Sequence, residues 1–514
     1  MAERNAMQAP MQAMMATVDM ALRFWARDRA DQTALWVSGE ALDYAELDRW
    51  TDQVAASLIA AGVKPGDRVA FYGETCLQWC LAAFAVIRAG AIVAPINSRM
   101  IAAEVDYLLD QYEPVAIFAD AEGAERLRAA GVETRLIALE GLDALRGGDA
   151  APVTLDLDPD AAVAIITTSG STARPKGVVY SQRSMIEYAM EEYMHNSPDL
   201  EGGPTRLLST SPLSTAGGCN LMIHSVIIGG TICLLRKFDP AEALATLAEQ
   251  RINTFRAAPI FFQRIAELPA FAATDLSHIR VATIGGAAPA PWLQQAWFDR
   301  GVALRQLYGQ TEAGGGICVN PRAYAKSDPD RCGFGGPFTQ IAIIDEAGQR
   351  VPPDTPGQII ARKPGMMMGY WRNPEATAAA LIDGWLHTGD IGMVDARGLL
   401  RIVDRMKDFI KSGGLNISSA ELERVILEVD GIEEVAVLAA PDDRFGETPL
   451  AIVHGRDCSV RALLDHCRSQ LSSYKWPRYV IVSDTPLPRL AMGKISKPAL
   501  RRQMEGQPLP PPVR

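Results

Sequence analysis

The sequence predicts a layered α/β protein in which a large N-terminal domain is followed by a small α+β C-terminal domain. Helical and strand patterns alternate at short spacing over residues 17–150, which is typical of strands covered by helices. Three later strands end in loops rich in glycine and hydroxyl side chains. The 514-residue chain also exceeds the size at which a single hydrophobic core stops growing. We therefore expect at least two domains, with a ligand site at the strand ends.

The composition is that of a soluble globular protein, with 48% hydrophobic and 22% charged residues. A net charge of −11 argues against a nonspecific nucleic-acid binder, because that affinity comes mostly from Lys and Arg. Residues 207–235 carry no charge, but Pro212 and two glycine pairs interrupt them, so we expect no transmembrane segment. Eight cysteines without C-x-x-C pairing and no signal peptide predict a cytoplasmic protein with reduced thiols, and no histidine pair has zinc-ligand spacing.

The N-terminal third supplies the first alternating units. Apolar residues at helical spacing predict a helix over 44–60, and the β-branched run that follows a turn predicts a strand over 68–72. A second unit pairs a helix over 75–89 with a strand over 91–96. Residues 147–152 then link this region to the next strand, predicted over 161–166.

The loop over 167–178 follows that strand and combines hydroxyl residues, glycines and two cations. Hydroxyls and backbone N–H groups donate to phosphate oxygens, and Arg174 and Lys176 offset negative charge. A Walker A loop is not matched, because Lys176 precedes Gly177 instead of following a glycine. The residues alone leave two readings open: a polyphosphate site and a surface turn rich in Ser and Thr.

The stretch 281–289 is predicted to be a strand that ends in a glycine turn, and the stretch 304–312 another strand that ends in a polar loop. From Gly333 to about Val403, short strands with Pro and Gly turns predict a β-rich subdomain. Beyond it, helices over 421–429 and 460–472 and strands over 435–439, 450–454 and 479–482 predict a compact α+β unit. The Pro-rich tail after Gln507 is predicted to be disordered.

Five separated stretches together resemble the adenylate-forming superfamily, which includes acyl-CoA and aryl-CoA synthetases, peptide-synthetase adenylation domains and luciferases. In order they are T-S-G-S-T-A-R-P-K-G at 168–177, Y-G-Q-T-E at 308–312, W-L-H-T-G-D at 385–390, D-R-M-K-D at 404–408 and P-R-L-A-M-G-K-I at 488–495. The resemblance covers about residues 20–505. It implies an AMP-binding (adenylation) domain over 1–404, a hinge at 405–407, a mobile domain over 408–505 and a tail over 506–514.

The resemblance also implies two half-reactions: a carboxylate and Mg-ATP give an acyl-adenylate and pyrophosphate, and a thiol then displaces AMP. It assigns the phosphate cradle to Thr168, Ser169, Gly170, Ser171, Thr172 and Lys176. Thr311 would donate to the α-phosphate and Glu312 would hold Mg²⁺. Taken alone, Glu312 is equally a carboxylate at a helix N-terminus, where the helix dipole favours negative charge.

By the same resemblance Tyr308 stacks on adenine, Gly286 and Ala287 line it, Asp390 accepts the ribose hydroxyls and Arg405 assists at the ribose or phosphate. The alternative from the residues alone is a core tyrosine and a solvated Asp–Arg pair. Lys494 would bridge the carboxylate and the α-phosphate, although an isolated lysine near a terminus is usually a solvated charge.

The thiol half-reaction is assigned to the C-terminal part of the chain. Lys407 occupies the hinge position, and Gly413 and Gly414 would leave room for a pantetheine arm. Phe445 or Trp476 would stack on the CoA adenine, with Lys475 or Arg478 on its phosphates. Either aromatic residue is also a reasonable core side chain.

The acyl pocket is expected among residues 215–220, Gly285 and residues 314–316. Ser214 and Thr215 replace an aromatic residue and a histidine frequent in relatives, Gln182 replaces a frequent histidine, and Ala173 a frequent glycine. Many small residues predict a roomy, largely neutral pocket for a bulky apolar, fatty or aromatic acid. The absence of an aspartate that would bind an ammonium group disfavours a peptide synthetase.

The sequence therefore predicts an AMP-forming acid–thiol ligase that uses ATP, Mg²⁺ and coenzyme A, and it leaves the oligomeric state open. A standalone enzyme that loads a carrier-protein phosphopantetheine is the main alternative. A catalytically silent nucleotide-binding module is disfavoured by the presence of Lys494 and Glu312. A P-loop phosphotransferase is disfavoured by the lack of Gly-Lys-[Ser/Thr].

Overall fold

The computed structural model describes residues 16–148, 151–168, 175–196, 199–201, 203–286, 289–412, 415–490 and 493–513, apart from the side chains of Lys407 and Asn416. The helices are α1 Val18–Asp28, α2 Tyr44–Ala60, α3 Leu77–Arg88, α4 Ala102–Tyr112, α5 Ala121–Ala129, α6 Gln182–Asn196, α7 Leu221–Ile227, α8 Pro240–Glu249, α9 Pro259–Ala266, α10 Pro291–Phe298, α11 Pro374–Ala380, α12 Ser419–Ile426, α13 Val460–Gln470 and α14 Lys497–Met504. Within these ranges no helix is both long enough and apolar enough to cross a membrane.

The strands fall into four sheets. In chain order they are β1 Thr33–Val37, β2 Glu40–Asp43, β3 Arg68–Tyr72, β4 Ile92–Ile96, β5 Ala116–Ala119, β6 Leu136–Ala138, β7 Ala162–Thr168, β8 Lys176–Ser181, β9 Arg206–Ser209, β10 Thr231–Leu234, β11 Thr254–Ala257, β12 Val281–Gly285, β13 Leu304–Gln310, β14 Gly315–Val319, β15 Phe334–Gly335, β16 Gln340–Ile344, β17 Gly357–Arg362, β18 Gly369–Tyr370, β19 Leu381–Ile382, β20 Trp385–Val394, β21 Leu400–Arg405, β22 Ile410–Ser412, β23 Leu415–Ile417, β24 Ile432–Asp442, β25 Gly446–Gly455 and β26 Tyr479–Val482.

Sheet I has the strand order β15-β14-β13-β12-β11-β9-β10-β1-β2 over the described residues. Its central strands from β13 to β1 are parallel, and the outer strands β15, β14 and β2 are antiparallel to their neighbours. The carboxyl ends of β11, β12 and β13 therefore meet at one edge. Long connections that cross over the sheet join these short parallel strands. In open α/β sheets of this kind ligands bind at the carboxyl ends of the strands, so we expect a ligand at that edge.

Sheet II has the order β18-β8-β7-β4-β3-β5-β6, in which β7 and β8 form an antiparallel hairpin. Helix α3 contacts β1 of sheet I and β4 of sheet II, so it lies between the two sheets. All of its residues except Gln78 are buried, which is expected of a helix that is apolar around most of its circumference. Its buried Arg88 is neutralised by Asp19, Asp48 and Asp52.

Sheet III (β16, β17, β20, β19 and β21) is the predicted β-rich subdomain. Sheet IV (β22 to β26) forms the small domain, with α12 and α13 on one hydrophobic cluster and α14 on another. The predicted helix over 421–429 begins earlier, at Ser419, because the Ser418 hydroxyl caps it by accepting from the N–H of Glu421 (3.1 Å). The tail was predicted to be disordered, whereas the N–H of Val513 donates to the Arg478 carbonyl (2.8 Å) and Leu509 packs on the small domain.

The sequence-based elements of the N-terminal region agree closely with the structure. The helix over 44–60 and the strand over 68–72 have the predicted bounds, and the helix over 75–89 is shortened to α3. The uncharged stretch 207–235 forms β9, α7 and β10 with a π-helical turn at Ala216–Asn220, which confirms that it is divided into short elements. All eight cysteines, each within the described residues, are free thiols.

Candidate active site

The carboxyl ends of β12 and β13 bring two predicted loops together. Gly285 ends β12 and pairs with Leu307 of β13, and the three-residue turn Thr311–Ala313 follows β13 directly. Gly286 has φ +88°, a left-handed conformation that favours glycine, and the space beside its Cα is open. The predicted adenine-lining residue Gly286 therefore borders open space at the strand ends; its neighbour Ala287 lies outside the described residues.

The proposed phosphate loop connects β7 to β8. Thr168 and Lys176 are register partners in this hairpin, so they flank the loop at its base. Ser169, Gly170, Ser171 and Thr172 of the predicted cradle lie outside the described residues, as do Ala173 and Arg174. Lys176 places its Nζ 4.9 Å from the centroid of the Tyr370 ring, a cation–π distance.

Tyr370, which the sequence analysis missed, links Lys176 to Glu312. Its hydroxyl donates to Glu312 Oε1 (2.8 Å), while its ring lies under Lys176. Burial and then the negative charge of Glu312 raise the pKa of Tyr370, so the hydroxyl remains a donor. Tyr180 also contributes by donating its hydroxyl to the Thr311 carbonyl. Three predicted residues, Lys176, Thr311 and Glu312, are thus held by two tyrosines on sheet II.

Glu312 has the chemistry of a magnesium ligand. Among the residues that the structure describes, no group of three or more His, Cys, Asp and Glu side chains could hold a metal ion. Mg²⁺ commonly binds through one or two carboxylates together with substrate phosphates and water. Because Tyr370 engages Oε1 of Glu312, Oε2 is left as a hard oxygen ligand. The residues present therefore fit a cation shared with a polyphosphate.

Asp390 is the centre of the predicted nucleoside site. Tyr308 donates its hydroxyl to Asp390 Oδ2 (2.8 Å), and Arg405 Nε lies 3.2 Å from Oδ1. Asp390 and Arg405 are register partners on β20 and β21, which explains their proximity. Tyr308 and Asp390 are 8% and 6% exposed, whereas the Arg405 side chain is 47% exposed. The structure brings these three residues together; stacking of Tyr308 on adenine stays a prediction.

Lys494, in the small domain, lies within electrostatic range of Asp390 and Arg405. Its loop contacts the large domain at Gly493, where an added Cβ would lie 2.8 Å from Cγ2 of Ile260 on α9. The surrounding protein and then the charge of Arg405 lower the pKa of Lys494, and Asp390 opposes the shift. The side chain is nevertheless accessible to solvent, so it lies in an open cleft and not in a core.

The residues predicted to bind CoA lie in different environments. Lys475 forms an ion pair with Glu421 (2.6 Å), and Trp476 packs on the small-domain core with its Nε1–H donating to the Leu471 carbonyl (2.9 Å). Phe445 is 36% exposed and has the Arg444 guanidinium 5.0 Å from its ring centroid. Gly413 and Gly414 and the side chain of Lys407 lie outside the described residues; the Lys407 backbone belongs to the turn Met406–Asp408.

A cavity of about 450 Å³, including the open space at its mouth, lies between α6 and strands β11 to β14. It adjoins the predicted acyl pocket at Gly316, whose N–H donates to the Tyr188 hydroxyl (2.7 Å). A Cβ on Gly315 would lie 2.7 Å from that hydroxyl, so the glycine run is what allows the close approach.

This cavity is not neutral, and it contains only Gly316 of the residues predicted to form the acyl pocket. Glu191, Glu192, Arg256 and Lys363 line it together with apolar side chains. These charges come from α6, β11 and the segment after β17, which lie outside the stretches of small residues used to predict the pocket. Charged groups can occupy such a wall only when they are paired, and both pairs are made: Arg256 with Glu192, and Lys363 with Glu191 (3.5 Å).

His224 packs behind this wall, with its ring stacked on Tyr188 at a centroid distance of 4.5 Å. Burial lowers its pKa from 6.5 to about 3, although the nearby Glu192 opposes the shift. The folded protein therefore keeps His224 neutral at pH values where an unfolded histidine binds a proton.

We expect His224→Phe to make the protein less sensitive to acid. Below pH 6.5 the unfolded chain binds a proton that folded His224 rejects, so stability falls as the pH decreases, by about 2 kcal/mol at pH 5. Phenylalanine preserves the stack on Tyr188 but does not titrate. Urea unfolding at pH 7.5 and pH 5.0 measures the difference: the wild type should lose more stability than the variant, and an equal loss would contradict the assignment.

Comparison with known proteins gives two family matches and several full-length relatives. The model for AMP-binding enzymes matches residues 22–371, and the model for the AMP-binding enzyme C-terminal domain matches residues 421–494. A feruloyl-CoA synthase from Amycolatopsis is 37% identical over 93% of this chain and 97% of its own length.

A second relative is the 3-[(3aS,4S,7aS)-7a-methyl-1,5-dioxo-octahydro-1H-inden-4-yl]propanoyl:CoA ligase of Mycobacterium tuberculosis, which is 35% identical over 94% of this chain and 98% of its own length. Among solved structures, ATP-bound MatB from Rhodopseudomonas palustris has a TM-score of 0.83 and 28% identity, covering 94% of this chain and 99% of that one. The similarity extends through both domains.

Proposed function

The chain belongs to the family of AMP-binding enzymes, and on that premise we propose that it is an ATP-dependent acid–CoA ligase that works through an acyl-adenylate. The observation that carries the proposal is that Lys494 of the small domain lies within electrostatic range of Asp390 in the large domain and of Arg405 at the proposed hinge. A lysine in that position can bind both the carboxylate of the acid and the phosphate of the nucleotide, and it is not only a solvated charge.

In the first half-reaction, a carboxylate oxygen attacks the α-phosphorus of ATP and the bond to pyrophosphate breaks. Two anions must approach each other, so cations and donors at the reacting oxygens lower the barrier. Lys494 is proposed to bridge the carboxylate and the α-phosphate, Thr311 to donate to the α-phosphate, and Lys176 to offset the charge of the departing pyrophosphate. Mg²⁺ held by Glu312 would neutralise further triphosphate charge.

In the second half-reaction, the CoA thiol loses its proton and its sulfur attacks the acyl carbon, displacing AMP. We propose that the small domain rotates about residues 405–407, with Lys407 at the hinge, so that Lys494 leaves the active site and Gly413 and Gly414 enter it. The proposed bounds are 1–404 for the large domain and 408–505 for the small one. The free thiols and the use of ATP and CoA support a cytoplasmic location.

The acid is proposed to be aromatic or polycyclic. The two relatives compared above carry a feruloyl group and a bicyclic dione in their names. The test is release of AMP and pyrophosphate over a panel of aryl, alicyclic and fatty acids, with and without CoA. AMP release that CoA accelerates supports the ligase; release only with a phosphopantetheinylated carrier protein, no release at all, or formation of ADP would each overturn it.

Phe445→Ala should raise the KM for CoA about 5- to 10-fold and leave the KM values for ATP and acid unchanged. The basis is loss of an aromatic face for the CoA adenine, a contact of roughly 1 kcal/mol. Phe445 is accessible, whereas Trp476 packs on the small-domain core, so Trp476→Leu should instead lower thermal stability. Steady-state kinetics with each substrate varied and a melting curve distinguish the two; an unchanged KM for CoA would remove Phe445 from the site.

A further inference from the structure

Lys494 belongs to a short β-hairpin of the small domain. Arg489 and Ile495 face each other across it as an antiparallel pair. The N–H of Leu490 donates to the Lys494 carbonyl (2.7 Å), and the N–H of Gly493 donates to the Leu490 carbonyl (2.8 Å). A two-stranded ribbon is marginally stable at best in water. The direction in which Lys494 leaves the hairpin therefore depends on what anchors the hairpin to the rest of the domain.

The Arg489 side chain provides such an anchor. Its Nη1 donates to the Gly493 carbonyl (2.6 Å), and its Nη2 donates to Oε1 of Glu434 (2.5 Å). Oε2 of Glu434 accepts in addition from the N–H of Leu487 (2.6 Å). Glu434 lies on β24, which pairs with β25 along most of its length. One guanidinium thus ties the carbonyl that precedes Lys494 to a firmly paired strand of sheet IV.

The hydrogen bonds of the hairpin fix the backbone on both sides of Lys494. The carbonyl before it, at Gly493, accepts from Arg489, and its own carbonyl accepts from Leu490. Gly493 has φ +81°, and glycine occupies both halves of φ space readily, so it restrains the chain less than any other residue would. Without Arg489, the peptide group that joins Gly493 to Lys494 could rotate, and the side chain of Lys494 would change direction with it.

The ion pair of Arg489 and Glu434 differs from an ordinary surface pair. Their side chains are 28% and 12% exposed, so solvent screens the pair only in part. Both ends of the Arg489 fork are used, one on a carboxylate and one on a backbone carbonyl, and a planar fork of this kind fixes geometry as well as charge. The pair is therefore suited to hold a segment in one orientation.

Resting on the proposed function, we propose that Arg489 and Glu434 are positioning residues for adenylation, which hold the hairpin so that Lys494 meets the carboxylate and the α-phosphate. They act through the lysine and not on the reacting atoms. Their effect is accordingly confined to the half-reaction that uses Lys494. Thioester formation from a preformed acyl-adenylate does not depend on them.

Arg489→Met tests the anchor, because methionine keeps an apolar chain of similar length but donates no hydrogen bond. A misplacement of about 1 Å can cost about 10²-fold in rate, and the hairpin keeps its backbone hydrogen bonds, so we expect ATP–pyrophosphate exchange to fall by about tenfold. Thioester formation from synthetic acyl-adenylate and CoA should stay at the wild-type rate. An equal loss of both half-reactions would show that Arg489 only supports the fold, and it would overturn the proposal.

Glu434→Gln is a second, milder variant at the other end of the pair. The amide oxygen still accepts from the N–H of Leu487, but the negative charge that orients Arg489 is lost. Hydrogen bonds to charged groups are roughly twice as strong as neutral ones, so we expect a loss of about threefold, again in ATP–pyrophosphate exchange alone. A loss in thioester formation and none in ATP–pyrophosphate exchange would contradict the proposed role.

A double-mutant cycle shows whether Arg489 acts through Lys494. In a Lys494→Ala background, adding Arg489→Met should lower ATP–pyrophosphate exchange by less than about twofold, because the side chain that Arg489 positions is already absent. A further loss of about tenfold would mean that the two residues act independently, and it would overturn the proposal.

Hydrogen exchange followed by mass spectrometry tests the anchor without any activity. In Arg489→Met, the amides of residues 488–496 should exchange about tenfold faster, while those of β24 and β25 keep the wild-type rate. Unchanged amide exchange over 488–496, or faster amide exchange in the whole small domain, would overturn the proposal. Arg456→Met is the matched control: it removes an exposed pair with Glu433, the neighbour of Glu434 on β24, and should change neither amide exchange nor either half-reaction.

The two proposals can fail separately. If the wild type forms no acyl-adenylate from any acid of the panel, the proposed function fails, and amide exchange over 488–496 alone decides whether the pair holds the hairpin. If acyl-adenylate forms but Arg489→Met leaves ATP–pyrophosphate exchange unchanged, the ligase stands and the positioning role is refuted.

Discussion

Lys494→Ala is expected to slow acyl-adenylate formation by about 10²- to 10³-fold and to leave thioester formation from preformed acyl-adenylate and CoA nearly unchanged. Removing one donor from a charge-stabilising site typically costs a factor of that size. Lys494 lies in an accessible cleft within electrostatic range of Asp390 and Arg405, so its loss exposes the two reacting anions to each other. The second half-reaction lacks this repulsion, because the acyl group of the acyl-adenylate no longer carries a carboxylate charge.

ATP–pyrophosphate exchange measures the first half-reaction, and thioester formation from synthetic acyl-adenylate measures the second. Arg502→Ala is the matched control, because Arg502 is an exposed cation on the neighbouring helix α14. It should change neither rate. An equal loss of both half-reactions in Lys494→Ala would show that the lysine supports the fold or the domain contact and not the adenylation step.

The pH dependence of adenylation offers an independent check on Lys494. The protonated ammonium is the form that bridges two anions, and the protein lowers its pKa below the ordinary value. As the pH rises, the activity that depends on protonated Lys494 is therefore lost at a lower pH than the pKa of an isolated lysine would give. In Lys494→Ala, this fall in the rate of ATP–pyrophosphate exchange at high pH should be absent.

Local sequence patterns were enough to predict much of the fold. Helix α2 and strand β3 have the predicted bounds because their periodicity and their turn residues are local signals. The sequence also predicted that strands within 281–289 and 304–312 end in a glycine turn and a polar loop, and β12 and β13 lie in these stretches. Sheet order could not be predicted this way, since β1 pairs with β10, which lies nearly two hundred residues away.

The features that escaped prediction depend on contacts between distant segments. Tyr370 belongs to β18, a two-residue strand that is defined by its pairing with β8 and has no recognisable pattern in the sequence. Nothing nearby in the sequence therefore links Tyr370 to Glu312. Arg256 and Glu192 are separated by 64 residues and meet only because α6 covers sheet I. The charges that line this cavity therefore come from segments that no local pattern in the sequence brings together.

Glu312→Gln is expected to lower the rate of adenylation by about 10²- to 10³-fold and to raise the Mg²⁺ concentration needed for half-maximal exchange. A neutral amide is a poor ligand for a hard cation that we propose the protein holds through a single carboxylate. The measurement is ATP–pyrophosphate exchange over a titration of Mg²⁺. A lower rate with an unchanged Mg²⁺ requirement would contradict the metal role and favour a carboxylate that only complements the start of the turn at Thr311.

Tyr370→Phe is a smaller change at the same site, to be compared with Glu312→Gln. It removes the hydroxyl that donates to Glu312 Oε1 but keeps the aromatic ring beneath Lys176. A hydrogen bond to a charged group contributes about 1.5–3 kcal/mol, and partial exposure reduces that, so we expect roughly a tenfold loss of exchange rate. The Mg²⁺ requirement should shift far less than in Glu312→Gln, because the carboxylate itself is retained. Equal shifts in both variants would mean that the tyrosine hydroxyl, and not only the carboxylate, determines how tightly the cation is held.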